Sequence, residues 1–179
     1  MASESRVRAT NTDVCVTLTE TWFCWCCFCA ADLVLSPTQS VVLTHIKPEY
    51  KPKIEALMDE HGILPIEQVD PLTRLAMACP ALPLCGLAVG EAERYMPTMI
   101  KRVGTLLERM GLGGEEILMR MTGCPNGCAR PYMAELAFVG DGKDSYEVWV
   151  GGSPVLTNVG FAYTQRAKVD DDFFVLSNS

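Results

Sequence analysis

The sequence has 179 residues, of which 49% are hydrophobic and 21% are charged, as expected of about one globular domain rather than a disordered chain. Fifteen lysines and arginines stand against 22 aspartates and glutamates, so the formal net charge is −7. A chain this acidic lacks the basic face that nucleic acids and anionic membranes require, and we expect neither as a partner.

The first 33 residues differ in character from the rest and are predicted to form a divergent, poorly ordered segment. They contain an apolar stretch with the cysteine-rich run WFCWCCFC, and only eleven residues separate its interruptions at Glu20 and Asp32. A membrane-spanning helix needs about 20 residues, so we do not expect one here. Adjacent side chains point apart in helices and strands, which argues against a metal site in the cysteine run.

Ordinary globular patterning begins near residue 34, and we predict one domain over residues 34–179. The β-branched run SVVLTHI predicts a strand at 40–46. A helix is predicted from Pro52 to the stop signal at Gly62. A second helix is predicted from about Ala92, Tyr95 or Met96 to Met110, since apolar residues recur there at spacings of three and four. Its predicted apolar stripe consists of Met96, Ile100, Val103, Leu107 and Met110.

Strands dominate the last third of the chain. EEILMRM, AELAFVG, SYEVWVGG and AYTQRAKV each have a strand pattern, and the turn-rich GDGKD joins the second to the third. The acidic triplet at 170–172 is interpreted as the start of a solvated helix. Because helices and strands do not alternate strictly, the predicted fold class is α+β.

Four of the nine cysteines form two spaced pairs, Cys79-x5-Cys85 and Cys124-x3-Cys128, each in a segment rich in proline and glycine. The odd count and the lack of a recognisable secretory signal favour an intracellular, reducing compartment over a disulfide framework. Structural zinc usually has shorter spacings, and neither histidine lies near a pair. A [4Fe–4S] cluster fits these spacings better, but four buried thiols remain an alternative.

Two segments, MACPALPLCGLAVGEAER and RMTGCPNGCARPYMAELAFVGDG, closely resemble the cluster-binding segments of sulfite reductase hemoproteins, and SPTQSVVL and GGSP also match that family. The resemblance runs from about Leu35 to Asp172. It implies a mixed β-sheet flanked by helices, a [4Fe–4S] cluster, a sirohaem, and six-electron reduction of sulfite to sulfide. The sequence NGCARPYMAE resembles that of the ferredoxin-dependent type, which implies ferredoxin as electron donor. Members are located in plastids of photosynthetic eukaryotes and in the bacterial cytoplasm.

The resemblance also implies roles for individual residues. Four thiolates would hold the cluster, and that of Cys128 would also ligate the sirohaem iron. The implied cluster ligands are Cys79, Cys85, Cys124 and Cys128. Residues of the second loop would lie against the macrocycle or, alternatively, serve as simple turn residues; they are Thr122, Asn126, Gly127 and Arg130. Arg120 and Arg130 flank this loop and could act locally as basic groups or as surface salt-bridge partners.

The likeness covers only the C-terminal portion of that family. The arginines and lysines that would clamp sulfite and the sirohaem carboxylates are not found, and the acidic charge balance agrees with this. We therefore predict a fragment that retains the cluster ligands but does not catalyse alone. The alternatives are a nitrite reductase-like enzyme of the same cofactor class and a non-catalytic cluster-binding module.

Overall fold

The computed structural model describes residues 32–155 and 158–168. They fall into two compact units, which divide between Asp70 and Pro71. The N-terminal apolar run with its cysteines, and the predicted helix start at 170–172, lie outside the described residues. The expected domain boundary between residues 33 and 34 stays a prediction.

The first unit contains a β-hairpin and one helix. Strand β1 (Asp32–Leu35) pairs antiparallel with β2 (Val41–Thr44), and helix α1 follows at Lys51–Glu60. A small core joins the strand and the helix. It consists of Leu43, Ile54 and Ile63. The predicted strand and helix are confirmed, whereas β1 was not predicted because its residues form a continuous apolar run without alternation.

Helix α1 ends where the sequence predicted. Gly62 adopts a left-handed backbone with φ of 67°, which glycine tolerates without steric cost. The amide of Ile63 then donates to the carbonyl of Met58 at 2.8 Å and closes the last turn. Short 3-10 turns at Pro48–Tyr50 and Ile66–Gln68 complete the described part of this unit.

The second unit is built on a five-stranded mixed sheet with strand order β3-β4-β5-β6-β7. Strands β3, β4 and β5 run parallel, and the pairs β5–β6 and β6–β7 are antiparallel. The strands are β3 (Met77–Ala78), β4 (Met119–Thr122), β5 (Leu136–Gly142), β6 (Ser145–Val150) and β7 (Phe161–Lys168). The last four confirm predicted strands, and the α+β class with a mixed sheet is likewise confirmed.

Two short elements of this unit were not predicted. Helix α2 covers Pro71–Leu75 and leads directly into the two-residue strand β3. Neither element is long enough to show a hydrophobic period in the sequence. They matter nevertheless, because β3 delivers the chain to Cys79.

Helix α3 (Met96–Arg109) provides most of the helical part of the second core. Tyr95 is its N-cap and Pro97 lies in its first turn, where a missing amide proton costs nothing. The buried face comprises Met96, Met99 and Val103, with Ile100 and Leu107 partly buried beside it. The prediction that Met110 extends this stripe is wrong. Its side chain is 66% exposed because the helix has already ended at Arg109.

The two faces of β4 have different chemistry. Met119 and Met121 share one core with Phe138 and the buried residues of α3. Side chains alternate along a strand, so Arg120 and Thr122 point to the opposite face. Both are nevertheless buried.

None of the described helices has the length and apolar character that crossing a bilayer requires.

Candidate functional site

The two cysteine segments leave the sheet side by side. Strands β3 and β4 are parallel neighbours with Ala78 opposite Met121, so their carboxyl ends meet at one edge. The amide of Cys79 donates to the carbonyl of Met121 at 3.1 Å. In return, the amide of Gly123 donates to Sγ of Cys79 at 3.3 Å. The first thiol is thereby fixed against the start of the second loop.

The loop between Cys79 and α3 folds back onto Gly123. The carbonyl of Gly123 accepts hydrogen bonds from the amides of Val89 at 2.8 Å and Gly90 at 3.0 Å. A Cβ atom at position 123 would lie 2.5 Å from the carbonyl oxygen of Gly90 and 2.6 Å from Cβ of Ala81. Only glycine permits this approach, which explains the glycine immediately before Cys124.

Tyr146 fastens the far end of the first loop to the sheet. Its hydroxyl donates to the carbonyl of Glu91 at 2.7 Å, and its side chain is almost fully buried. Burial raises the pKa of Tyr146, with smaller contributions from Tyr95 and Asp144. This anchor was not predicted. The strand pattern of β6 does not identify the distant backbone partner of its tyrosine.

The second loop is stiffened by its backbone and by an aromatic anchor. Gly127 and Arg130 have positive φ values of 71° and 54°, and the Arg130 amide donates to the Gly127 carbonyl at 2.7 Å. The Tyr132 hydroxyl donates to the carbonyl of Pro125 at 2.8 Å. The Tyr132 ring meets Trp149 edge to face, with centroids 4.7 Å apart. Tyr132 lies within the quoted motif, but its role as an anchor was missed because its contacts with Pro125 and Trp149 depend on the folded chain.

All four spaced cysteines are free thiols. Cys79 and Cys124 are buried, Cys85 is half-buried and Cys128 is exposed. Burial is the main cause that raises the pKa of Cys79, and the nearby thiols of Cys128 and Cys124 raise it further. Hydrogen bonds from the backbone of Gly123 and Ala81 act in the opposite direction and lower this pKa. Cys124 and Cys128 therefore lie close enough to Cys79 to influence its ionisation.

Cys85 belongs to the same loop but is tied to it through its backbone, whose amide donates to the Ala81 carbonyl at 2.8 Å. Within residues 32–155 and 158–168, no group of three or more histidine, cysteine, aspartate or glutamate side chains is arranged to hold a metal ion. A four-iron cluster spreads its thiolates around a much larger body than a single ion does. The four free thiols are chemically suitable donors for such a cluster, and the loops that begin at Cys79 and Gly123 meet at one edge of the sheet.

The remaining predicted site residues occupy different environments. Thr122 is fully buried at the end of β4, and its Oγ1 has no hydrogen-bond partner among the described residues. Asn126 and Arg130 are exposed on the loop, and Gly127 makes its turn. Arg120 is only 3% exposed, so the alternative of a surface salt bridge is wrong for this residue. Its burial could not be predicted, because a single arginine in a strand pattern is normally placed on the solvated face.

No family model matches the sequence. It is 48% identical over 139 residues to a sulfite reductase [ferredoxin] of Synechococcus elongatus, which aligns with 78% of this chain. It is also 46% identical over 121 residues to the sulfite reductase [NADPH] hemoprotein beta-component of Staphylococcus haemolyticus, across 68% of this chain.

A solved structure has a similar fold. The NirA protein of Mycobacterium tuberculosis superimposes with a TM-score of 0.62, covering 87% of this chain and 29% of that protein at 21% identity. At this identity the likeness concerns the fold alone. The alignments cover 22% and 21% of the two sulfite reductases, so the chain spans about a fifth of the length of the relatives it matches. Over most of its length this chain is therefore related to one segment of the sulfite reductase hemoproteins, as its cysteine motifs predicted.

Proposed function

We propose that this chain is the cluster- and sirohaem-binding C-terminal portion of a sulfite reductase, an enzyme that reduces sulfite to sulfide with six electrons. One observation carries the proposal. Two cysteine segments leave adjacent parallel strands and contact each other directly, through the hydrogen bond from Gly123 to Sγ of Cys79 at 3.3 Å. These contacts lie inside the region that is 48% identical to a sulfite reductase.

The donor set suits the proposed groups. Four free thiols in rigid proline- and glycine-rich loops are the ligands that [4Fe–4S] clusters take. Two buried polar atoms of strand β4, Nε of Arg120 and Oγ1 of Thr122, have no partner among the described residues. Both can donate to an anion. An acceptor-rich, negatively charged cofactor would satisfy donors that otherwise carry a desolvation cost.

When bound, the cluster and the sirohaem would supply electrons one at a time and an iron to which sulfite can bind. The protein residues would bind and orient these groups. Cys79, Cys85 and Cys124 would hold the cluster from the protein side. Cys128, the exposed thiol of the set, would face outward, where a thiolate can also ligate the sirohaem iron and donate electron density to it.

The chain is proposed to need additional basic residues for turnover. Sulfite and the sirohaem carboxylates are anions, and a site for both requires several arginines or lysines. Of the two arginines that flank the second loop, Arg120 is buried and Arg130 is exposed. One exposed guanidinium is too little for this task, so we expect cofactor binding without sulfite reduction by this chain alone.

Anaerobic reconstitution with iron, sulfide and sirohaem tests the proposal. We expect about four irons and four labile sulfides per chain, as a [4Fe–4S] cluster requires, together with haem absorbance. Cys124→Ser should abolish this iron content. As a matched control, alanine at Cys24, Cys26, Cys27 and Cys29 should leave it unchanged.

Other outcomes would support other functions. A cluster without haem absorbance would favour a non-catalytic cluster-binding module, and absence of iron would favour four buried thiols. Sulfite turnover near that of a complete enzyme would refute the claim that this chain cannot catalyse alone. Faster turnover of nitrite than of sulfite would favour the nitrite reductase-like alternative.

We propose ferredoxin as the electron donor. The loop sequence NGCARPYMAE and the ferredoxin-type relative of Synechococcus elongatus support this proposal. The NADPH-type relatives favour a different donor. Stopped-flow mixing of the reconstituted chain with reduced ferredoxin, or with an NADPH-reduced flavoprotein, separates the two. Faster bleaching of the cluster by the flavoprotein would overturn the ferredoxin assignment.

A further inference from the structure

Strand β4 buries two polar side chains on the face opposite the apolar core. Arg120 is 3% exposed and Thr122 is fully buried. Each has a buried atom without a hydrogen-bond partner in the described part of the chain, Nε in Arg120 and Oγ1 in Thr122. Cys79 continues β3 beside Thr122, with its amide bonded to the carbonyl of Met121. Arg120 and Thr122 therefore share one face of β4, and Thr122 ends the strand beside the first cysteine segment.

The guanidinium of Arg120 reaches the turn that carries Cys128. One of its terminal nitrogens donates to the carbonyl of Arg130 at 2.9 Å. The backbone amide of Arg130 donates to the carbonyl of Gly127 at 2.7 Å and closes the turn that contains Cys128. Arg120 thus connects the buried face of the sheet to the backbone of the turn that carries the exposed thiol of Cys128.

The charge of Arg120 has no acidic partner among residues 32–155 and 158–168. The ion pairs in this part of the chain join other residues, namely His45 with Asp32, Lys51 with Glu55 and Arg74 with Glu116. Burial and the nearby charge of Arg130 both lower the pKa of Arg120. An arginine nevertheless stays protonated in proteins. Within the described residues, this buried positive charge therefore has no balancing anion, and an added anion would supply one.

The group assigned to the four thiols would be such an anion. Four thiolates outweigh the positive charge of the resting [4Fe–4S] core, so the bound assembly is negative. We propose that Arg120 is a positioning residue that provides the buried counter-charge of this assembly and fixes it to the Cys128 turn. This inference rests on the proposed function, but it assigns Arg120 a role that the cysteine motif does not specify.

The proposal predicts opposite effects of one substitution in the empty and the loaded chain. In Arg120→Met, a buried unpaired charge is replaced by an apolar side chain of similar length. The Arg130 carbonyl keeps a second donor, the amide of Met133 at 3.3 Å. The empty variant should therefore have a urea midpoint at least as high as that of the parent chain.

In the loaded chain the same substitution should weaken the site. Loss of the positive charge disfavours the reduced, more negative cluster, so its midpoint potential should shift to a more negative value. Residues that support metal ligands typically change affinity about 10- to 100-fold, and we expect iron loss to a chelator to accelerate within about that range. Arg120→Lys keeps the charge and should give a potential closer to that of the parent.

Arg109→Met is the matched control. It removes the same charge from an exposed position at the end of α3, so it should change neither the potential nor the iron loss. An Arg120→Met chain that is unfolded or less stable when empty would contradict the inference, as would an unchanged potential in its loaded form. If the parent chain assembles no cluster, the proposed function itself fails and this inference fails with it. A cluster in the parent with an unchanged potential in the variant refutes the inference alone.

Discussion

Replacing Gly123 with alanine tests whether the two cysteine segments depend on direct backbone contact. The added methyl group would lie 2.5 Å from the carbonyl oxygen of Gly90 and 2.6 Å from Cβ of Ala81. Neither atom is the free end of a flexible side chain. The loop that precedes α3 must therefore move away from the second cysteine segment to accommodate the change.

The magnitude follows from two effects. Overpacking of this kind costs about 1–3 kcal/mol. The movement also weakens the hydrogen bonds from Val89 and Gly90 to the Gly123 carbonyl, each of which contributes about 0.5–1.5 kcal/mol. We expect the free energy of unfolding to fall by about 2–6 kcal/mol. A typical domain has a total of about 5–15 kcal/mol, so the loss would be easily measured.

Urea unfolding followed by Trp149 fluorescence is the assay, in a parent chain in which Trp22 and Trp25 are replaced by phenylalanine. Gly86→Ala is the matched control, because no atom lies within 4 Å of the added Cβ. The control should be unchanged or more stable by up to about 1 kcal/mol. If Gly123→Ala stays within about 0.5 kcal/mol of the parent, the contact between the segments does not have the importance assigned to it.

Three further substitutions probe the surroundings of the site. Tyr132→Phe removes the hydrogen bond to Pro125 and should lower stability by about 0.5–1.5 kcal/mol, measured by urea unfolding; an unchanged midpoint would mean that the hydroxyl does not anchor the loop. Thr122→Val removes a buried hydroxyl without a partner among the described residues. Urea unfolding of the cofactor-free variant should therefore give a stability equal to that of the parent, or higher by up to about 1 kcal/mol. A clear loss of stability would show that the hydroxyl has a hydrogen-bond partner. Tyr146 has a raised pKa in the folded chain, so it contributes stability below the ordinary tyrosine pKa of about 10 that is lost as pH rises above it. Tyr146→Phe should be less stable than the parent at pH 8, since the Glu91 carbonyl loses its donor, and the difference should narrow in urea titrations at pH 10 and 11; a constant difference would contradict the assignment.

Local patterns predicted the regular part of the fold. Helix α3 was foreseen because its apolar residues recur every three to four positions, and β4 to β7 because their β-branched and aromatic residues lie between turn signals. Strand β3 (Met77–Ala78) could not be foreseen in the same way. Two residues show no period, and this strand exists only because β4 provides a hydrogen-bonding partner.

The sequence by itself determined which residues are available for the chemistry. The spacing of the cysteines and their proline- and glycine-rich surroundings favoured a cluster site over four buried thiols, because stiff loops with thiols are a local property of the chain. Only the tertiary structure decided how these loops meet. The parallel pairing of β3 with β4 brings Cys79 to Gly123, and the sheet buries Arg120 without an acidic partner among the described residues. Contacts and unbalanced charges of this kind depend on residues about 40 positions apart, and folding rather than local pattern brings such residues together.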